Sequence, residues 1–401
     1  MALSNQENAL IARAFAAPMR AQVERWAAIN SGTGNLAGLA EVAGLLADAF
    51  AVLPGEMRFV DPASEESVAP DGNTRIVQRG QHLHLCVRPH ANRRILLTGH
   101  MDTVFPADHA FQILCEVEPG VINGPGVADM KGGIAVMLAA LTAFEGSDGA
   151  SALGYDVILN SDEETGSATS AGLIAELAAG KIAALTYEPA ALPDGTLAGA
   201  RPGSGNFSFV VTGKSAHAGR NPQDGRNAVI AAADLALRLA ALRKPGLSVN
   251  PAKIDGGGPN NVVPDHAVLR VNLRPLTPEI EAEAKAAIAG ILAEVARHHD
   301  VTIHLHGGFG RPPKPMSAPA ERLLGLVRDC GADLGQSIAW KATGGVCDGN
   351  NIAACGVPVV DTMGVRGGAI HSDQEYLIVE SLAERAALSA LTLYRIANGA
   401  F

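Results

Sequence analysis

Basic runs are scarce: no block of lysine or arginine exceeds a pair such as Arg93-Arg94, and the 401-residue chain carries a net charge of −10 at pH 7. A phosphate backbone therefore has no electrostatic footing here, and nucleic acid is excluded as a partner. No apolar run reaches the roughly 18 residues of a membrane span. The first residues, MALSNQENALIARAFAAPMRAQVERWAA, read as an amphipathic helix interrupted at Pro18, without a basic stretch followed by an apolar one. The expectation is a protein outside the membrane and in the cytoplasm. Five cysteines, Cys86, Cys115, Cys330, Cys347 and Cys355, form no CxxC pair, and their number is odd. Neither a disulfide framework nor a thiolate zinc site is indicated, which favours a reducing compartment.

The remainder is ordinary globular material, 47% hydrophobic and 18% charged, in a chain longer than one core usually grows. Between residues 95 and 189 apolar strands alternate with helices: RILLTGHMDTV, GIAVMLAALTAF, YDVILNSDEE, ATSAGLIAELAAG, KIAALTYEP. This rhythm predicts an α/β domain with a mostly parallel central sheet, whose ligands collect at the carboxyl ends of the strands. From about residue 205 the order becomes strand, helix, strand, strand, helix, strand. Thr277 is placed as N-cap and Pro278 at the first position of the second helix. That order predicts a ferredoxin-like α+β domain inserted into the larger one. The division expected is 1–203 with 314–401 as the catalytic, metal-binding domain and 204–313 as the insert. No internal repeat is present.

Polar residues gather just after the predicted strands. His100 and Asp102 in GHMDTVFP are two apart, so in an extended backbone they share a face, and the aspartate can set the histidine tautomer. Asp129 lies in GPGVADMKGG, Glu163 and Glu164 in NSDEETGS, Glu188 in TYEPA, and His371 in AIHSDQEY. A set of histidines and carboxylates without thiolate suits zinc, or alternatively manganese or cobalt, and two ions would need a bridging carboxylate such as Asp129. At a turn, two successive glutamates can point apart, one onto a metal and the other toward a water whose proton it takes.

Taken in order, GHMDTV, GPGVADMKGG, NSDEETGS, YEPA, GKSAHAGRNPQDGRNA, NNVVP and HSDQEY resemble the dinuclear-zinc exopeptidase family. That family contains glutamate carboxypeptidases, acetylornithine deacetylase, succinyl-diaminopimelate desuccinylase and aminoacylase. The match runs from about residue 20 to 395, and its spacing is most similar to the glutamate carboxypeptidase branch. The resemblance implies two zinc ions, one held by His100 and Glu188, the other by Glu164 and His371, with Asp129 bridging. It also implies Glu163 as general base, Asp102 as support for His100, and a cis peptide after Asp129. His217 would reach across a homodimer interface, formed by the insert, to stabilise the oxyanion. Asn261 would contact substrate, and Arg274 and Arg311 would lie near its carboxylate, a role suited to the guanidinium fork.

The implied activity is hydrolysis of an amide or peptide bond beside a free carboxylate, on a short peptide or an N-acyl amino acid. Deacylation of N-acyl amino acids, as in acetylornithine deacetylase or succinyl-diaminopimelate desuccinylase, is the alternative. With 4% aromatic residues, no stacking platform for a pterin-like group is visible. Two positions depart from the family pattern: Asn272 stands where aspartate is usual, and GGVCD replaces GGTD or GGSD. Competing readings are weaker. GPGVADMKGG lacks phosphate-loop spacing, and a Cys347 nucleophile with His371 is disfavoured. His82, His84, His298, His299, His304 and His306 are given solvated or structural roles.

Overall fold

A computed structural model describes residues 3–401. Its central sheet has six strands in the order Glu56–Val60, His82–Val87, Gly154–Asn160, Arg94–His100, Ala183–Thr186, Val359–Val360. The last four run parallel, and the first two are antiparallel to their neighbours. The sheet is therefore mixed, with its parallel part where the alternating strands and helices were expected. Those parallel strands are buried almost throughout rather than on alternate residues because helices cover both faces.

Helices Asn5–Phe15 and Met19–Ala27 flank Pro18, and the first is closed by a capping box between Ser4 and Glu7. Helix Gly133–Glu145 is buried almost all round, against helix Glu380–Ala397. It passes so close to the sheet that a Cβ on Gly133 would lie 1.9 Å from the Tyr187 carbonyl oxygen, a position only glycine fills. The 19-residue window 127–145 is long and apolar enough to cross a membrane, which the search for apolar runs did not anticipate, yet 94% of it is buried inside the protein. It is the core helix of the fold.

Between Ser204 and Arg311 the chain forms a second sheet, antiparallel throughout, ordered Leu247–Gly256, His266–Pro275, Ser204–Thr212, Thr302–Arg311. Helices Ala228–Ala240 and Pro278–His299 complete a β-α-β-β-α-β order, and Thr277 caps the second by accepting from Ile280. Phe209, Val211, Leu235, Leu269 and Ile288 belong to a hydrophobic cluster separate from the main core. The chain enters and leaves this unit through an antiparallel pairing of Arg201 with Lys314.

Late in the chain the sixth strand of the central sheet is only Val359–Val360, and the last helix spans Glu380–Ala397. Residues Tyr376–Ile378 join a small sheet with Gly367–Gly368, Val121–Asn123 and Cys115–Glu118. That sheet carries His371 and Glu375 to the turn that holds Asp129.

Leu141 of the core helix is fully buried. Leu141→Ala is expected to lower unfolding stability by about 2–5 kcal/mol, read from the urea midpoint; an unchanged midpoint would contradict this packing.

Candidate metal centre

The parallel strands end on one edge. His100 is the last residue of its strand, Glu163 and Glu164 open the turn three residues beyond Asn160, and Glu188 follows the strand ending at Thr186. His100 Nδ1 donates to the Asp102 carbonyl oxygen at 3.0 Å, which leaves Nε2 facing inward. Nε2 lies 3.1 Å from Asp129 Oδ1 and 3.8 Å from Glu188 Oε2. His371 Nε2 lies 3.3 Å from Asp129 Oδ2 and 3.1 Å from Glu164 Oε2. The two Asp129 oxygens thus face two different histidines, each accompanied by its own glutamate. His371 is exposed while His100 is buried, so the cluster opens to solvent on the His371 side.

Asp102 is fully buried, and its carboxylate sits 3.4 Å from His100 Nδ1, farther than its own carbonyl oxygen. The carboxylate accepts from Thr33 Oγ1 at 2.7 Å and from the backbone N–H groups of Glu163 and Glu164 at 3.2 Å each. It ties the glutamate turn to the histidine strand. The Asp129 turn is held by Glu375, whose carboxylate accepts the N–H groups of Gly126, Ala128 and Asp129 at 3.1, 2.9 and 3.0 Å. The Asp129–Met130 peptide is cis. His371 itself sits at φ 63°, in the left-handed region that costs a non-glycine residue roughly 1–2 kcal/mol.

Negative charge is concentrated here. Burial raises Glu163 well above the ordinary glutamate range, with Arg311 opposing. Burial and then Asp129 raise Glu164 to about 7, and burial raises Glu188. Burial alone would raise Asp129 as well, but His100 and His371 outweigh it and hold it below the usual range. The same contacts, to Asp129 and Glu164, push His371 up to about 11. Among the described residues, buried Glu188 has only the His100 ring as an ion-pair partner. Such crowding calls for cations, and the donors present are imidazole nitrogen and carboxylate oxygen, the chemistry that suits zinc, manganese or cobalt. Ligand atoms of His100, Asp129 and Glu164 lie within 4.8 Å of one another, as do those of His100, Glu163 and Glu188. The donor set therefore fits a metal centre.

Of the other expected residues, Arg311 contacts the cluster through Glu163, whereas His217, Asn261 and Arg274 make their hydrogen bonds elsewhere. His217 is exposed, and its Nδ1 accepts the N–H groups of Gly219 and Arg220 at 3.1 Å each. The ring proton then sits on Nε2, leaving that nitrogen as a donor. Asn261 is exposed beside it and accepts from the Ala218 N–H through its backbone carbonyl. Arg274 donates from Nε to Asn272 Oδ1 at 3.1 Å and from Nη1 to the Gly344 carbonyl at 2.8 Å. Asn272 also donates through Nδ2 to Ser204 Oγ, the Gly205 carbonyl and Asn206 Oδ1, bonds that the aspartate usual in the family could not make. Arg311 is buried, and its guanidinium is turned to Glu163 and Asp348 rather than to open space.

Cys347 is buried beside Asp361, and burial pushes its thiol well above the ordinary range, an environment that disfavours the thiolate. His84 is a structural histidine, hydrogen-bonded to buried Asp156 at 2.9 Å. Sequence reasoning missed Glu375, Thr33 and Asp348, and also Asp361, which pairs with Arg201 and Lys314 beneath the two connecting strands. Glu375 and Asp348 stood inside HSDQEY and GGVCD, but nothing local marked their partners. An open groove of about 460 Å³ lined by Arg20, Glu24, Gln112, Ile113 and Glu116 contains none of these residues.

Carboxypeptidase G2 of Pseudomonas sp. strain RS-16 is 28% identical over 320 residues, 78% of this chain and 76% of that protein. Succinyl-diaminopimelate desuccinylase of Xanthomonas oryzae is 28% identical over 322 residues, 75% of this chain and 83% of its own. Among solved structures, a tripeptidase from Staphylococcus aureus superposes with a TM-score of 0.72 at 22% identity, covering 95% of this chain and 98% of its own. A metallo-carboxypeptidase of Sulfolobus solfataricus superposes at 0.71 and 15% identity, covering 94% and 99%. Residues 96–395 match the family described as peptidase family M20/M25/M40, and the chain belongs to it, a metal-dependent hydrolase of amide or peptide bonds.

Proposed function

We propose that the protein hydrolyses an amide or peptide bond adjacent to a free carboxylate, in the manner of a glutamate carboxypeptidase. The observation that carries the reading is Asp129, whose two oxygens face His100 and His371 separately. On this reading His100 and Glu188 would hold one ion and Glu164 and His371 a second, with Asp129 shared between them. Zinc is the expected metal, with manganese or cobalt as substitutes. Such ions supply Lewis acidity, polarising the scissile carbonyl and making a water acidic enough to attack near neutral pH.

The chain's own groups then do the rest. Glu163 takes the proton of the attacking water and passes it to the leaving amine. Asp102 and Glu375 hold the two turns in register by their hydrogen bonds to backbone N–H groups. His217 donates from Nε2 to the developing oxyanion of a second copy, since within one chain its hydrogen bonds stay in its own loop. Residues 204–313 serve on this reading as a dimerisation unit, with Asn261 and Arg274 contacting substrate. Deacylation of an N-acyl amino acid is the second reading, because the desuccinylases match at the same 28% identity as carboxypeptidase G2. The five free cysteines favour action in the cytoplasm.

Glu163→Gln is expected to keep its metal by elemental analysis and lose about 10²–10⁴-fold in kcat; turnover near the wild-type rate would remove Glu163 as the base. For the trans arrangement, mixing inactive His217→Ala with inactive Glu163→Gln under subunit exchange should restore partial activity. Exchange verified by labelling but without any recovery would rule out a histidine acting across the interface.

A further inference from the structure

Arg311 ends the last strand of the inserted sheet, Thr302–Arg311, where the chain returns to the larger unit. Its side chain is 4% exposed. Nη2 donates to Glu163 Oε1 at 2.6 Å, to the Glu163 carbonyl at 3.0 Å and to Ser167 Oγ at 3.0 Å. Nη1 donates to Asp348 Oδ1 at 3.0 Å. Asp348 is itself buried and accepts from Ser167 Oγ at 2.5 Å and from Asn160 Nδ2 at 2.8 Å. Next to it, Asn350 Nδ2 donates to the carbonyls of Pro202 and Pro312 at 2.8 Å each, fixing both strands that connect the inserted unit.

An arginine that selects a substrate carboxylate must present its fork to the space the substrate enters. Arg311 does the opposite, because both terminal nitrogens are engaged by groups of the chain. Glu163 meanwhile faces two ways: Oε1 meets Arg311, and a carboxylate oxygen of the same residue lies within 4.8 Å of the ligand atoms of His100 and Glu188. The geometry points to Arg311 as the residue that positions the base: backed by Asp348, it fixes one oxygen of Glu163 so that the other is presented to the attacking water. Substrate carboxylate recognition then falls to other residues. This inference rests on the reading of Glu163 as general base.

Guanidinium geometry matters here because two parallel donors serve two carboxylates at once, which a single ammonium does not reproduce. Asp348 is buried and also accepts from Ser167 and Asn160, so the effect of its loss on kcat is read together with melting temperature and metal content. Because truncating a buried ion pair leaves an unpaired charge, Arg311→Lys and Asp348→Asn are measured beside Arg311→Ala.

The experiment determines kcat and KM for the metal-loaded wild type and these variants, on the best substrate from a panel of N-acyl amino acids and on its carboxamide counterpart. Metal content and melting temperature are followed in parallel. Arg311→Ala is expected to lose about 100-fold in kcat, as misplaced catalytic groups do, with KM within about threefold of wild type. Arg311→Lys should recover part of that loss, and Asp348→Asn should shift kcat in the same direction. The preference for acid over amide and the metal content should stay unchanged in all. A KM increase at constant kcat in Arg311→Lys, with loss of the acid preference, would overturn the assignment and make Arg311 a substrate-binding residue. Full activity in Asp348→Asn would overturn it too. Glu163→Gln run in the same assay separates the two failures: if it is active, the base reading itself falls, and if it is inactive, only the role of Arg311 is in question.

Discussion

Everything at the site depends on one electrostatic condition, the burial of Asp129 between two histidines in a nest of further carboxylates. Desolvation penalises charge in such a place, so acids crowded together must share protons or hold cations. Here the acids are arranged in two halves, His100 with Glu188 and His371 with Glu164, and Asp129 presents one oxygen to each. The fold meets this condition from several directions. Parallel strand ends deliver His100, Glu163, Glu164 and Glu188, a glycine-rich turn delivers Asp129, and a small separate sheet delivers His371.

Holding those elements in register falls to groups that touch backbone amides. Asp102 joins the strand of His100 to the glutamate turn, and Glu375 gathers three N–H groups of the Asp129 turn. A buried carboxylate accepting several amide hydrogens is a stiff connection, since releasing it would leave both partners unsatisfied. Arg311 plays a comparable part from the inserted unit, reaching Glu163 and Asp348 at once. The geometry of the proposed base is therefore coupled to the place where the two units of the chain meet.

Much of this was legible in the sequence. Apolar runs ending in polar residues located the strand ends, the i, i+2 spacing of His100 and Asp102 marked the first of them, and Thr277 with Pro278 announced its helix. The order of seven short motifs then gave the family. What stayed hidden was long-range. Glu375 acts on amides more than 240 residues earlier in the chain, and no local pattern encodes such a partner. The direction of a side chain was equally hidden: Arg311 reads as a cation available to substrate until its neighbours in space are known. Asn272 looked like a lapse from the family pattern, yet its amide donates hydrogen bonds that an aspartate has no hydrogen to make. Strand Glu56–Val60, at the antiparallel edge of the central sheet, escaped notice.

The central claim, that the residues around Asp129 hold a pair of divalent ions, is tested most directly by anomalous X-ray diffraction from crystals of the metal-loaded protein. The account predicts two anomalous peaks, one between His100 and Glu188, the other between His371 and Glu164, with Asp129 in contact with both. Absence of any peak at Asp129 at full metal loading, or ions bound only elsewhere on the chain, would contradict it.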